Sequence, residues 1–322
     1  MTAEVAYVSV KHPSADGTTQ LNAAFWMPAD KDVAPRAIIQ ITHGMAEYID
    51  RYDAFARYLV GRGFVVCGQD MIGHGQSANT LDDLGHIPLS AGKEALLADM
   101  HSLRLLAQDQ FPGVPFVLYG HSMGSFMVRC YLARYGEGVA AAILSGTGNL
   151  APALSHVGGV LARREARKNG ERHKSAFIDG MGAGGYGKKI KGARTDLDWL
   201  STDAREVDAY IDDPLCGVMF SVGGYAALLD LTEECAKPAC PAAWPADMPV
   251  LFVAGDADPV GDCGRGVQAA AESVQKARKA NAQAAPVQVR LYEGARHEIH
   301  NEPIRDQVYN DIATWIDQQF SR

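Results

Sequence analysis

Gly120-His121-Ser122-Met123-Gly124 sets a serine between two glycines, directly after the apolar run Phe116-Val117-Leu118-Tyr119 and before a helical pattern from Ser125 to Tyr135. Strand, tight turn and helix are the parts of a nucleophile elbow, which projects a serine hydroxyl from the edge of a sheet. Glycines two residues to either side leave room for that turn, where a Cβ would strike the neighbouring strand or helix. Read as plain turn glycines and a capping serine, the segment would need neither the buried strand before it nor partners downstream.

Such partners are present. A serine hydroxyl attacks a carbonyl once a base removes its proton, and the base needs an acid to hold its tautomer. Behind an elbow they follow in the order Ser, Asp, His, each just past a strand end. The strand Val250 to Ala254 leads into Gly255-Asp256-Ala257-Asp258-Pro259, and the strand ending at Tyr292 leads into Gly294-Ala295-Arg296-His297-Glu298. We assign His297 as general base and Asp258 as its orienting carboxylate. Asp256 is the rival acid; its place nearer the strand suits a bond to the turn backbone. The oxyanion formed on attack needs N–H donors. These are expected from Met123, next after the serine, and from Met45 in the loop after the Arg36 to Thr42 strand.

The elements that position these residues read as an α/β chain. Val5 to Val10 and Leu21 to Met27 form two antiparallel strands around a turn-rich segment. Continuous apolar strands at Arg36 to Thr42, Phe64 to Gly68, Phe116 to Tyr119 and Ala140 to Leu144 then alternate with amphipathic helices, as in a parallel sheet covered on both faces. The alternation stops at Ser145-Gly146-Thr147-Gly148 and resumes at Val250. Val308, Ile312, Trp315 and Ile316 form the buried stripe of a last helix. The expected division is a core of residues 1–148 and 241–322, with residues 149–240 inserted as a cap over the carboxyl ends of the strands.

Composition narrows the class. The chain has 322 residues, 47% hydrophobic and 21% charged, enough for a large soluble core. A net charge of −8 argues against a nucleic-acid partner. The first twenty residues lack the apolar core of an export signal, and no apolar run is long enough to span a bilayer. The six cysteines, without zinc-like spacing, are expected as reduced thiols, Cys263 among them as a small buried one. Cytoplasm is therefore the expected compartment.

The chain resembles the monoacylglycerol lipase and lysophospholipase branch of the α/β-hydrolases, filed in some schemes with serine aminopeptidases. The matching pieces are His43-Gly44-Met45-Ala46-Glu47 with Arg51-Tyr52, Asp70 to Ser77, Gly120 to Gly124, Val207-Asp208 with Asp213-Pro214-Leu215, Asp256-Ala257-Asp258 and Gly294 to Glu298. They cover nearly the whole chain and are weakest from about 149 to 195. The resemblance implies the α/β-hydrolase fold, a Ser122–Asp258–His297 triad, Met45 and Met123 as oxyanion donors, and hydrolysis of an acyl ester without metal or organic cofactor. The implied substrate is a monoacylglycerol or lysophospholipid. A short-chain carboxylesterase and an aminopeptidase are the competing enzymes, and a ligand-binding protein on the same fold is the non-enzyme alternative. An aminopeptidase needs a cap carboxylate for the substrate amine, for which Glu171, Asp179 and Asp198 are candidates. Tyr48 stands where relatives often carry histidine.

Other signals read as structure. Gly182 to Lys188 imitates a phosphate loop but has Lys189 at the hydroxyl position and no strand before it, so a mobile cap loop is expected. Asp70 is expected to hold its turn, and His300 to pack or face solvent. Leu154, Val157, Val160 and Leu161 are expected to share one helix face. The basic run Arg163, Arg164, Arg167, Lys168, Arg172 and Lys174 beside them suits a solvated helix face, the commoner case, or transient contact with a membrane surface.

Overall fold

The computed structural model describes residues 4–30 and 32–320. In chain order the regular elements are β1 (Val5–Pro13), β2 (Gln20–Pro28), β3 (Ile38–Thr42), α1 (Asp53–Gly61), β4 (Val65–Gln69), α2 (Gly92–Gln110), β5 (Phe116–His121), α3 (Met123–Tyr135) and β6 (Ala141–Ser145). They continue with α4 (Pro152–Asn169), α5 (Ala176–Gly180), α6 (Ala204–Asp212), α7 (Val222–Cys235), α8 (Ala239–Ala242), β7 (Val250–Gly255), α9 (Arg265–Arg278), β8 (Val287–Tyr292) and α10 (Arg305–Phe320).

The eight strands form one sheet in the order β1-β2-β4-β3-β5-β6-β7-β8. The β1–β2 and β2–β4 pairs are antiparallel and the others parallel. Every residue of β3, β4, β5, β6 and β7 is buried, the mark of strands covered on both faces. One face packs on Phe55 and Leu59 of α1 and on Val308, Ile312, Trp315 and Ile316 of α10. The other packs on α2, α3 and α9 through Leu96, Leu103, Met127, Val128, Val267 and Val274. The expected stripe of the last helix is thus the one buried. Strand limits differ from the sequence reading by a residue or so, where apolar side chains continue past the paired backbone.

Between β6 and β7 all regular structure is helical, and α4 lies along α7. The α7 helix also packs on α2 and α3, through buried Tyr225, Ala226 and Leu231. The segment between β6 and β7 is therefore seated on α2 and α3.

Two local expectations are corrected. Cys263 is exposed, because Asp262, Cys263 and Gly264 all have positive φ (51°, 52° and 85°) in the turn that starts α9. Leu154, Val157 and Leu161 face one cavity, but Val160 turns toward a separate groove with Lys93 and Glu234. At 100° per residue it falls on the flank of the stripe. The Gly182 to Lys188 stretch is two short turns, Ala183–Gly185 and Gly187–Lys189, with no strand before them.

Candidate active site

Ser122 sits between β5 and α3 with φ 53° and ψ −119°, a region that costs a non-glycine residue about 1–3 kcal/mol. Its surroundings hold it there. The Ser122 N–H donates to Ser145 O at 2.9 Å, and the Ser125 hydroxyl donates to Ser122 O at 2.5 Å. A Cβ on Gly120 would meet Gly124 O at 2.5 Å, and one on Gly124 would press into the Thr42 and His43 carbonyls. The two glycines allow α3 to cross this close to β5 and β3.

His297 lies in the loop after β8, with its Nδ1 2.9 Å from Asp258 Oδ2. Both side chains are buried. Asp258 Oδ1 accepts from the Val260 N–H at 2.8 Å, so both its oxygens are occupied. A carboxylate accepts only from an N–H, which puts the proton on Nδ1 and the lone pair on Nε2. Burial opposes charge on His297, but the adjacent Asp258 carboxylate outweighs it and raises the pKa above the usual histidine value. Asp256 instead accepts from the Gly294 N–H at 2.7 Å, tying the two loops together without touching the imidazole.

Ser122, Met123, Met45 and His297 all line one cavity of about 790 Å³ between the sheet and the helices that join β6 to β7. That volume lies in the range of about 300–1,000 Å³ typical of small-molecule sites. Phe126, Leu154, Val157, Leu161, Ile178, Leu228 and Leu229 make much of its wall apolar. No hydrogen bond joins Ser122 Oγ to His297 among the described residues, a spacing common in free enzymes that tightens with substrate. Met123 opens α3, so its N–H is one of the helix's unpaired first-turn donors.

The loop carrying Met45 is clasped from several sides. The pairing of His43 is set by geometry: Nε2 accepts from the Met71 N–H at 3.1 Å, leaving Nδ1–H to donate to Gly44 O at 2.8 Å. Ala46 has φ 55°, and its carbonyl accepts from the Tyr210 hydroxyl at 2.8 Å and the Gly217 N–H at 3.0 Å. Asp70 accepts from the Ile49 and Gln76 N–H groups, both at 2.8 Å, while burial pushes its carboxyl up to about 6. This is the turn-holding role expected for it. His300 packs against Tyr52 with the rings stacked at 4.6 Å. Tyr48 donates its hydroxyl to Asp213 at 2.7 Å.

Of the acids considered for an amine site, Asp198 is taken by the Arg194 N–H and the Thr195 hydroxyl, and Glu171 accepts from the Leu89 N–H outside the cavity. Asp179 does line the cavity, where the Tyr225 hydroxyl donates to it.

Residues 33–304 match the family model described as serine aminopeptidase, S33. The chain belongs to that family. Among S33 relatives, the monoacylglycerol lipase of Mycolicibacterium smegmatis is 30% identical over 292 residues, 90% of either chain. The monoglyceride lipase of Homo sapiens is 26% identical over 327 residues, 98% of this chain and 92% of the human one. These matches place the S33 chain on the monoacylglycerol lipase branch of the α/β-hydrolases. A thermostable carboxyl esterase from Bacillus coagulans, solved with glycerol, superposes with a TM-score of 0.88 at 28% identity, covering 98% of this chain and 99% of that one. The sheet is therefore an α/β-hydrolase sheet.

In the sequence, Glu47, Arg51 and Glu298 stand out only as parts of matching motifs. The structure joins them into one buried ion network. The i,i+4 spacing of Glu47 and Arg51 was a readable signal. Glu298 comes from 247 residues away, and no spacing rule connects it to Arg51.

Proposed function

We propose that the chain is a serine ester hydrolase acting on single-acyl-chain lipids, monoacylglycerol first and lysophospholipid second. The carrying observation is the buried His297–Asp258 pair at 2.9 Å, facing the same largely apolar cavity as the elbow serine. Ser122 Oγ attacks the ester carbonyl while His297 Nε2 takes its proton. Asp258 holds the Nδ1–H and stabilises the imidazolium. The Met45 and Met123 N–H groups receive the oxyanion. His297 then gives the proton to the departing glycerol. Water activated by the same nitrogen releases the fatty acid and restores Ser122.

An ester reading fits the cavity better than an aminopeptidase reading. Binding a free ammonium in an apolar cavity requires an available carboxylate. Two of the three candidates are spent elsewhere, and the third, the cavity-lining Asp179, meets only the Tyr225 hydroxyl, so it is the residue that cleavage of an aminoacyl amide would implicate. The test is parallel hydrolysis of esters of increasing chain length, a monoacylglycerol, a lysophospholipid and an aminoacyl amide. Long-chain monoacylglycerol is expected to be cleaved fastest. Preferential cleavage of the amide would overturn the reading.

Residues 149–240 act in this account as a cap over the core of residues 1–148 and 241–322, and the cap sets chain length. A charge at Val157 or Leu161 is then expected to weaken long-chain esters far more than acetate or butyrate esters. Desolvating the acyl chain contributes about 0.8 kcal/mol per methylene, so the deficit should grow with each added carbon. An unchanged chain-length profile in a folded variant would remove this face of α4 from the acyl path.

The cap also carries exposed Leu154, Val157, Val160, Phe177 and Met181, with exposed Arg164, Arg167, Lys168 and Lys174 nearby. Exposed apolar side chains beside basic ones on one segment fit an anionic lipid surface. Among the described residues no helix is long and apolar enough to cross a membrane. Co-sedimentation with anionic phospholipid vesicles is expected and should fall when Phe177 and Met181 are both changed to Ser. Equal sedimentation of parent and variant would remove the contact from this surface.

A further inference from the structure

Three charged side chains lie buried between the Met45 loop and the His297 loop, outside the triad. The side chains of Glu47 and Glu298 are 3% and 4% exposed, and that of Arg51 between them 11%. Arg51 donates through Nη1 and Nη2 to the two carboxylate oxygens of Glu298, at 2.8 and 2.7 Å, and through Nη1 to Glu47 Oε2 at 2.7 Å. The other oxygen of Glu47 accepts from the Gly44 N–H at 2.5 Å and the Tyr52 hydroxyl at 2.8 Å. Asn301 Nδ2 completes the set with a 2.8 Å bond to Glu298 Oε2. The guanidinium also lies over the Tyr210 ring, 4.7 Å from its centroid.

This network runs unbroken from Gly44, one residue before Met45, to Glu298, one residue after His297. Burying ionised groups costs several kcal/mol each before pairing, and apolar packing serves stability as well or better. Stability alone therefore gives little reason for three charges here. What the network does supply is a set of directional bonds between two loops that approach from distant parts of the chain. Resting on the serine-hydrolase reading above, we propose that Glu47, Arg51 and Glu298 are positioning residues, a clamp that sets the oxyanion loop against the His297 loop for attack and departure.

The clamp has two separable properties, shape and charge. Its shape is the fork of Arg51, which meets Glu298 bidentately as an ammonium cannot. Its charge comes from two carboxylates around one guanidinium, and it faces His297. Burial opposes the imidazolium, whereas Asp258, Glu298 and Glu47 favour it. The other titratable rings facing His297 are His121, at 4.6 Å between centroids, and His300. Burial lowers both, His300 to about 3, and keeps them uncharged at neutral pH.

The test uses the full-length enzyme with monoacylglycerol. Arg51→Lys keeps the charge and removes the fork; kcat should fall on the order of 10- to 100-fold with KM little changed, as for a small misplacement of reacting groups. Glu298→Gln keeps the side chain's length but removes its charge and, with one oxygen replaced by NH₂, one arm of the fork. It should lower kcat and move the acid limb of kcat/KM to lower pH, because the base works when neutral and a carboxylate favouring its protonated form is gone. Glu298→Asp should return the limb toward the parent position and recover part of kcat. Parent-like kcat and an unmoved limb in folded Arg51→Lys and Glu298→Gln would overturn the clamp. A kcat loss that merely tracks melting temperature across all three variants, with the limb in place, would overturn it too. Full activity in Ser122→Ala would instead sink the underlying serine reading, whatever the clamp variants do.

Discussion

Ser122→Ala is expected to hydrolyse monoacylglycerol at least about 10⁴-fold more slowly than the parent while melting at nearly the same temperature. In the proposed mechanism the hydroxyl forms the acyl-enzyme, so its removal would take away the nucleophile and leave only binding and oxyanion stabilisation. The fold should not notice. The elbow backbone is held by the Ser122 N–H bond to Ser145 O and by two N–H groups, of Ser125 and Phe126, that donate to Ser122 O. None of these bonds involves the Ser122 side chain. The positive φ costs alanine no less than serine, so the strained turn persists by the same surrounding contacts. Initial rates and a thermal melt on the same preparation check both halves. Parent-like turnover by the purified variant would remove Ser122 from the chemistry.

Asp258→Asn should be the second deep lesion, on the order of 10⁴-fold in kcat, while Asp256→Asn should stay within about a few-fold of the parent. Asparagine at 258 can present its NH₂ to His297 Nδ1, which favours the tautomer with the proton on Nε2, where the base needs a lone pair. It also loses the charge that stabilises the imidazolium in the transition state. Asp256 offers only a turn bond to the Gly294 N–H, which an amide oxygen can still accept. Rates of the two variants measured side by side decide the assignment. A deeper loss at Asp256 would reverse it.

The difference between these two aspartates shows what could be read from sequence. Strand-end placement and order narrowed the acid to two residues two positions apart. Turn chemistry argued that the nearer one would bond backbone, and the structure shows Asp256 on Gly294 N–H and Asp258 on His297. The alternating strands and the α10 stripe were legible because full burial on both sheet faces leaves continuous apolar runs and a 3.6-residue period. Contacts between distant segments were not. Neither which of Leu154, Val157, Val160 and Leu161 would face the cavity, nor the exposure of Cys263, follows from spacing alone. The first depends on how α4 lies along α7, the second on three successive positive φ angles. The Arg51–Glu298 bond is of the same kind: two ordinary charged residues, on separate loops, made neighbours by the sheet.

The most direct test of the central claim is the site of covalent capture by a fluorophosphonate, read by intact-protein and peptide mass. One adduct is expected, on the peptide containing Ser122, formed in step with the loss of monoacylglycerol hydrolysis and absent from Ser122→Ala. Full inactivation with the adduct on another residue, or an enzyme that stays unlabelled and active, would contradict it.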